Sequence, residues 1–175
     1  MLAEVVEASK QRRQLPLEVR TARMLLRQWR DEDAEPLAAI YAQSAYRGHM
    51  PALDLEQTRQ QIERFRSRWR DDGLGHWAAA DVESGRLIGR IGLLRHHDWP
   101  LEQSPVEVGW TLDRAWWGRG LATEGGEASV ALWRDVLVDD ARLLSITTPA
   151  NSRSRAVMHR LGMTDVAGQT PAAIR

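Results

Sequence analysis

One stretch near the middle of the chain, residues 106–127, constrains the fold most strongly, because two structural periods meet in it. Its first residues are apolar at every second position, which is the period of a half-buried β-strand. After a short connection, a glycine-rich turn at residues 118–120 leads into apolar or small residues at helical spacing. The stretch therefore predicts a strand, a tight turn and a helix in succession. The patterned positions are Val106, Val108, Trp110 and Leu112 in the strand, and Leu121, Gly125, Ala128, Leu132 and Val136 in the helix.

The predicted turn has the chemistry of an anion-binding site. The first turn of a helix leaves backbone N–H groups without intrahelical partners, and the helix dipole makes that end positive. Gly118 and Gly120 remove side chains that would keep an anion from those donors, while Arg119 adds a charge and Thr123 a hydroxyl. A pyrophosphate suits such a site, and a tight turn without a ligand is the alternative.

Composition disfavours several classes of partner. The 175 residues suit one domain, and 24 basic residues balance 24 acidic ones, so no global field favours nucleic acid or an anionic membrane. The chain has no cysteine and therefore no disulfide or thiolate metal ligand. No apolar run approaches the ~18 residues that span a bilayer, and we expect a cytoplasmic protein. His96 and His97 are adjacent but lack a third ligand at fixed spacing, so we predict no metal site.

Local patterns divide the rest of the chain into interleaved strands and helices, which favours a single α/β or α+β layer structure. Residues 1–20 are polar and mixed, and we interpret them as an extension. Asp54 to Gln57 resembles a capping box, and Gly73 ends the helix behind it. Loop 44–53 either walls an acceptor pocket or is a plain connector. The remaining predicted elements are strands at 23–30, 76–82, 86–95 and 142–148, and helices at 34–43 and 151–161.

Two segments together resemble a known family. WGRGLATEG at residues 117–125 and TPANSRSRAVMHRLGM at residues 148–163 have the order and separation found in GNAT N-acetyltransferases. The chain is most similar to the RimJ/RimL branch, which acetylates N-terminal amines of ribosomal proteins, and the resemblance covers residues 21–164. It implies a GNAT fold of the α/β (α+β) class, in residues 21–175. Such a fold has a mixed, mostly antiparallel central sheet flanked by helices, with two central strands splayed apart.

The resemblance implies acetyl-CoA as cosubstrate. The pyrophosphate would lie on the backbone N–H groups of the turn, and the pantetheine arm would bond along the strand before it. Asn151 matches the family asparagine that contacts this arm, and Trp117 stands where the wider superfamily has Gln or Arg, as is usual in this branch. The residues implied to bind acetyl-CoA are Trp110, Thr111, Leu112, Gly118, Arg119, Gly120, Leu121, Ala122, Thr123 and Asn151.

Acetyl transfer to an amine also needs a base, because only the neutral amine attacks and free amines have pKa values of roughly 8 to 10. Glu107 is our candidate, since alternation places it opposite Val106 and Val108, on a face that can look into the cleft. The alternative is a surface or structural glutamate. Ser154 matches the family residue expected near the thiol, where it would protonate the leaving thiolate; the alternative is a helix-capping serine.

The chain departs from the family pattern at its C-terminus. After Met163 only twelve residues remain, where family members continue with two strands that complete the sheet and one wall of the acceptor cleft. At ~3.3 Å per residue we expect one short strand at best. The C-terminal strands are then truncated, and an unpaired sheet edge is left that a second copy would cover in a homodimer.

These observations predict an N-acetyltransferase that moves an acetyl group from acetyl-CoA to a primary amine by direct transfer. The acceptor is a protein N-terminus or a small molecule such as a polyamine or an aminoglycoside. A non-catalytic acyl-CoA-binding module that lacks a complete acceptor site is the alternative. The two differ in whether CoA is released when an amine is offered.

Overall fold

Eight strands form one sheet with four α-helices around it in a computed structural model that describes residues 14–43, 52–98, 104–137, 142–165 and 171–174. Most of the predicted loop 44–53 therefore lies outside the described residues. The strands are β1 (Val19–Arg20), β2 (Met24–Arg27), β3 (His76–Asp81), β4 (Leu87–Arg95), β5 (Val106–Leu112), β6 (Leu143–Ile146), β7 (Thr164–Asp165) and β8 (Pro171–Ile174). The helices are α1 (Ala34–Tyr41), α2 (Leu55–Asp72), α3 (Leu121–Leu132) and α4 (Ser152–Arg160), and a π-helical turn, Trp133–Leu137, follows α3 directly.

The sheet is mixed and mostly antiparallel, as expected. Its strand order is β1-β2-β3-β4-β5-β6-β8-β7, and β5 and β6 are the one parallel pair of neighbours among the described strands. β5 pairs with β4 along its whole length, whereas it pairs with β6 only through Val106 and Glu107. The two central strands then part, which confirms the predicted splay.

Helix α2 shows how local sequence fixes an element. The Gln57 backbone N–H donates to the Asp54 carboxylate at 2.8 Å, and the Asp54 N–H donates to the Gln57 side chain at 3.0 Å, which is the predicted capping box. The helix ends at Gly73, whose φ of 70° is left-handed. Its buried face is apolar apart from one threonine, so the helix is amphipathic. That face consists of Thr58, Ile62, Phe65 and Trp69.

The two faces of the sheet are covered differently. Helix α3 packs on β4 and β5, over a core that includes the fully buried Val106 and Val108. Helices α1 and α2 pack against each other on the opposite face, where Phe65 of α2 belongs to a second, smaller core. Because side chains alternate along a strand, Glu107 and Gly109 face this second side. No helix in the described part of the chain has the length and apolarity needed to cross a membrane.

Residues 14–20 belong to the folded domain, although the sequence analysis assigned them to an extension. Leu15 is buried, and its N–H donates to Gly73 O at 2.9 Å. The Trp77 indole donates to Pro16 O at 3.2 Å, and β1 pairs with β2. The predicted boundary after residue 20 is therefore too late, because the partners that hold these residues lie far along the chain.

The C-terminal residues form a short hairpin, which corrects the expectation of one strand at best. β7 pairs with β8, and β8 pairs with β6 through four residues. The expectation assumed strands of ordinary length, whereas strands of two and four residues suffice. β6 is thus covered, and the outermost strands, β1 and β7, have two residues each, which gives a second chain little to pair with. The homodimer remains a prediction, but the unpaired sheet edge no longer supports it. A monomeric mass in light scattering across concentrations would contradict it.

Candidate active site

The site forms where β5 and β6 part. Their pairing begins at Val106, whose N–H donates to Arg142 O at 2.8 Å, and among the described residues it ends at Glu107. Peptide groups alternate between the two edges of a strand. The peptide groups of Trp110 and Leu112 therefore point toward the gap, as those of Val106 face β6. This edge can bond an extended ligand, although Leu112 O also accepts from the Trp117 indole.

Thr111 differs from its two neighbours in this respect. On the other edge of β5 the Asp113 N–H donates to Ile88 O at 2.8 Å, and Thr111 itself pairs with Arg90 of β4. The alternation directs the Thr111 peptide groups toward β4. We therefore retain Trp110 and Leu112 for the predicted backbone contact with the ligand, and leave Thr111 out of it.

The predicted glycine turn joins β5 to α3 and leaves helix donors open. Gly118 and Gly120 have φ values of 74° and 78°, a left-handed conformation that only glycine adopts without strain. Gly120 is the N-cap of α3, and no side chain among the described residues caps it. The first intrahelical bond runs from Glu124 N–H to Gly120 O at 3.0 Å. The N–H groups of residues 121–123 precede it and lack intrahelical acceptors, which is what the anion-site prediction requires.

Two tryptophans before the turn fix its surroundings, and the sequence analysis missed this role. The Trp117 indole N–H donates to Leu112 O at 2.6 Å, which ties the turn to the end of β5. The Arg153 guanidinium, in α4, lies 5.1 Å from the Trp117 ring centroid. Arg119 lies 5.0 Å from the Trp116 ring centroid in the same way. The stacked pairs bring cationic side chains to the turn and connect it to α4 across the gap.

Arg23 supports the turn from β2's side. Its Nη1 donates to Arg119 O at 2.7 Å, and its Nη2 lies 2.6 Å from the Glu124 carboxylate. The Arg23 N–H also donates to that carboxylate, at 2.9 Å. Burial alone would raise the pKa of Glu124, but the hydrogen bonds from Thr21 and Arg23 outweigh it, so this pKa is lowered. The turn is thus anchored by charged contacts on the strand side.

Glu107 stands at the last paired position before the strands part. Its Oε2 lies 2.7 Å from His96 Nε2, and its Oε1 lies 3.8 Å from where a Cβ on Gly109 would be. Val106 and Val108 are fully buried on the opposite face, whereas Glu107 is partly exposed, so the predicted orientation is confirmed. The carboxylate therefore borders a spot on β5 that has no side chain of its own.

A polar cluster that the sequence analysis missed adjoins the same spot. Arg90 donates from Nε to Tyr41 Oη and from Nη1 to His76 Nε2, each at 3.1 Å, and its guanidinium lies 5.6 Å from the Phe65 ring centroid. His76 Nε2 lies 3.0 Å from the same Cβ position. Arginine only donates, so Nε2 accepts and the neutral imidazole carries its hydrogen on Nδ1. Burial, aided by Arg90 and His96, lowers the pKa of His76 well below 6.5.

Asn151 and Ser154 lie at the start of α4. Asn151 is the N-cap, and its Oδ1 accepts from the Ser154 N–H at 3.1 Å. This confirms the helix predicted at residues 151–161, and it makes Asn151 the capping residue, not Ser154. The Ser154 hydroxyl is thus not the cap that its alternative interpretation required.

The adjacent histidines have separate partners. His96 contacts Glu107, whereas His97 Nε2 lies 2.8 Å from Asp72 at the end of α2. In the part of the chain that the structure describes, no three His, Cys, Asp or Glu side chains gather as a metal site would require.

A mixed sheet that opens beside a helix N-terminus is an arrangement that this chain shares with acetyltransferases of known structure. An acetyltransferase of known structure from Agrobacterium tumefaciens str. C58 is 28% identical, with a TM-score of 0.72 over 91% of this chain and 92% of that chain. RimL, a ribosomal L7/L12 alpha-N-protein acetyltransferase solved in complex with coenzyme A, is 13% identical, with a TM-score of 0.65 over 90% of this chain and 93% of that one. At this identity, the likeness to RimL shows the fold alone.

The family model described as an acetyltransferase (GNAT) domain matches residues 23–164, so the chain belongs to the GNAT acetyltransferase family, a family of acetyl-CoA-dependent enzymes. Among curated proteins it is similar to the uncharacterized protein YkkB of Bacillus subtilis (strain 168), with 25% identity over 114 residues. That match takes in 63% of this chain and spans 62% of the length of YkkB.

Proposed function

We propose that this protein transfers the acetyl group of acetyl-CoA to a primary amine by direct attack, in the cytoplasm. The observation that carries the proposal is the position of Glu107, a partly exposed carboxylate at the point where β5 and β6 part. Family membership supports acetyl-CoA as the cosubstrate. The carboxylate beside the gap supports a primary amine as the acceptor, because the amine must lose a proton.

The described residues fit acetyl-CoA. N–H groups of Leu121, Ala122 and Thr123 at the start of α3 would hold the pyrophosphate, with Gly118 and Gly120 leaving room and Arg119 adding charge. The backbone of Trp110 and Leu112 would bond the pantetheine arm, and Asn151 would contact it from the other side of the gap. No atom of the described residues lies within 4 Å of where a Cβ on Gly118 would be, so this side of the turn is open among them.

Acetyl-CoA supplies an activated acetyl thioester, whose C–S bond breaks as the C–N bond to the amine forms. Glu107 accepts the proton that the amine loses, which makes the nitrogen lone pair available. Ser154 donates a proton toward the departing sulfur. In this assignment the protein's own groups move the two protons, while the acetyl group passes directly between the two substrates.

The N-terminal amine of a peptide or protein is the acceptor that we favour. Besides Glu107, the spot above Gly109 is flanked by His76 and, through it, by the Arg90 guanidinium. A cation at this position disfavours a polycationic acceptor such as a polyamine or an aminoglycoside, whereas a peptide terminus carries one amine and a carbonyl oxygen next to it. RimL, an alpha-N-protein acetyltransferase, has the same fold.

A thiol-release assay tests the proposal. The full chain is incubated with acetyl-CoA and one acceptor at a time, drawn from N-terminal peptides, polyamines and aminoglycosides, and the free CoA released is measured. Binding of acetyl-CoA is measured in parallel by calorimetry. We expect CoA release that depends on a peptide amine. Binding of acetyl-CoA without release for any amine would instead establish the acyl-CoA-binding module, and no heat of binding would end both.

A further inference from the structure

We propose that His96 is a positioning residue for Glu107, an inference that rests on the proposed role of Glu107 as base. The two side chains are joined by a 2.7 Å contact between His96 Nε2 and Glu107 Oε2. They are 25% and 18% exposed, so water competes little for this bond. The His96 backbone is held as well, because its N–H donates to Pro105 O at 2.9 Å.

The contact assigns different tasks to the two carboxylate oxygens. A base must be ionised before it acts, and an ionised carboxylate only accepts hydrogen bonds, so His96 Nε2 carries the hydrogen. With Oε2 held in this way, Oε1 is the carboxylate oxygen without a hydrogen bond among the described residues, and it lies 3.8 Å from where a Cβ on Gly109 would be. His96 therefore selects the Glu107 rotamer that presents Oε1 to an amine above Gly109.

Among the described residues, the other titratable or charged groups next to His96 and Glu107 have different partners. His76, which interacts electrostatically with His96, is buried and neutral, and its Nε2 accepts from Arg90. Arg95, next to His96 in the chain, donates to Ser104 O. His97 is turned toward Asp72. The titratable and charged groups around the pair are thus engaged elsewhere, and the imidazole that contacts Glu107 is that of His96.

Two substitutions at His96 and one at His97 separate positioning from a structural role. His96→Leu removes the donor, whereas His96→Gln keeps an N–H near the Nε2 position but does not titrate. His97→Leu is the matched control, because it deletes the adjacent imidazole and its contact to Asp72. The full chain is used throughout, with acetyl-CoA and the peptide that gives the highest wild-type rate.

We expect His96→Leu to lower kcat roughly ten- to a hundredfold, because Oε1 is no longer held in place, with the Kd for acetyl-CoA unchanged. His96→Gln should recover most of kcat, because its side-chain N–H can still donate to Glu107 Oε2. His97→Leu should keep the wild-type kcat and pH profile. Thermal unfolding of each variant shows whether the fold has survived.

Other outcomes overturn the inference in distinguishable ways. If Glu107→Gln abolishes turnover while His96→Leu behaves like His97→Leu, His96 has no positioning role and the proposed function stands. If Glu107→Gln turns over normally, the base is another group and the role of His96 falls with it. A wild-type protein that releases no CoA with any acceptor ends the proposed function, and this is seen before any variant is compared.

Discussion

The two edges of β5 are built from one seven-residue segment and behave in opposite ways. On one edge β5 pairs with β4 at every position from Val106 to Leu112. On the other it pairs with β6 at two positions, after which peptide groups face a gap. We call these the closed edge and the open edge. The closed edge holds the strand in place, and this frees the open edge to bind a ligand.

The comparison explains where the polar groups lie. Glu107 is the last residue at which both edges are still paired, so its backbone is fixed on two sides while its carboxylate borders the gap. A base that moves by an ångström loses much of its effect. Placing it at the fork, rather than further along the open edge, satisfies the need for rigidity and the need for access.

The largest effect is expected on the closed edge. In Gly89→Ala the new Cβ would lie 2.1 Å from Thr111 O and 2.8 Å from Leu112 Cα, both backbone atoms that cannot move without breaking the β4–β5 pairing. We expect a loss of roughly 3 kcal/mol or more in the free energy of unfolding, measured by urea denaturation. Gly85→Ala is the control, because its φ of 69° is also left-handed but its Cβ meets nothing within 4 Å. It should cost about 1 kcal/mol, and equal losses would refute the close-approach argument.

The open edge should fail in binding without failing in stability. Ala122→Glu places a carboxylate in the first turn of α3, where the helix dipole favours it but a pyrophosphate would be repelled. We expect acetyl-CoA affinity, measured by calorimetry, to fall on the order of a hundredfold, with the unfolding free energy unchanged or slightly raised. Ala131→Glu is the same change at an exposed position further along α3 and should bind normally. Normal binding by Ala122→Glu would remove the pyrophosphate from this turn.

Acidic pH should lower the free energy of unfolding through His76. His76, which pairs with Gly92 of β4, has a folded-state pKa well below its unfolded value of 6.5, mainly because it is buried. It is therefore neutral in the native state, and its contribution is complete above pH 6.5 and is lost as pH falls toward the folded pKa. One proton gives a slope of roughly 1.4 kcal/mol per pH unit. His76→Gln should be less stable at pH 7.5 yet lose less below pH 6.5, and parallel wild-type and variant curves would contradict this assignment.

The smallest effect concerns the bond that ties the turn to the open edge. Trp117→Phe removes the donor to Leu112 O and keeps most of the ring beneath Arg153. A single hydrogen bond contributes about 1 kcal/mol, so we expect the Kd for acetyl-CoA to rise roughly fivefold. Trp116→Phe, which alters the neighbouring indole but no bond to β5, should leave the Kd near the wild-type value. If both variants bind alike, the indole bond does not shape the gap.

The sequence predicts most of what depends on neighbours in the chain. The strand, turn and helix at residues 106–127, the Asp54 capping box and the helix at residues 151–161 all follow from residues a few positions apart. The splay of the central strands came instead from the family resemblance. The Glu107 orientation follows from alternation, because a strand has two faces and the valines identify the buried one.

The parts that were missed depend on residues far apart in the chain. Arg90 contacts Tyr41 and His76 only because β3, β4 and α1 pack together. The spacing of these residues in the sequence does not predict the contact. Leu15 is buried for the same reason, in a segment whose composition is polar. The C-terminal hairpin was missed because strands of two and four residues are too short to show a period.

The clasp of Arg23 on the carbonyl of Arg119 also acts on the far side of that peptide unit. In a trans peptide the carbonyl and the following amide hydrogen point in opposite directions, and no described peptide bond is cis. Holding the oxygen therefore aims the Gly120 amide away from β2. The positive charge of the Arg23 guanidinium beside the oxygen also draws electrons from the nitrogen. The Gly120 N–H therefore becomes a stronger hydrogen-bond donor. A residue just before the second strand thus tunes, through one shared amide plane, a donor that the chain reaches almost a hundred positions later.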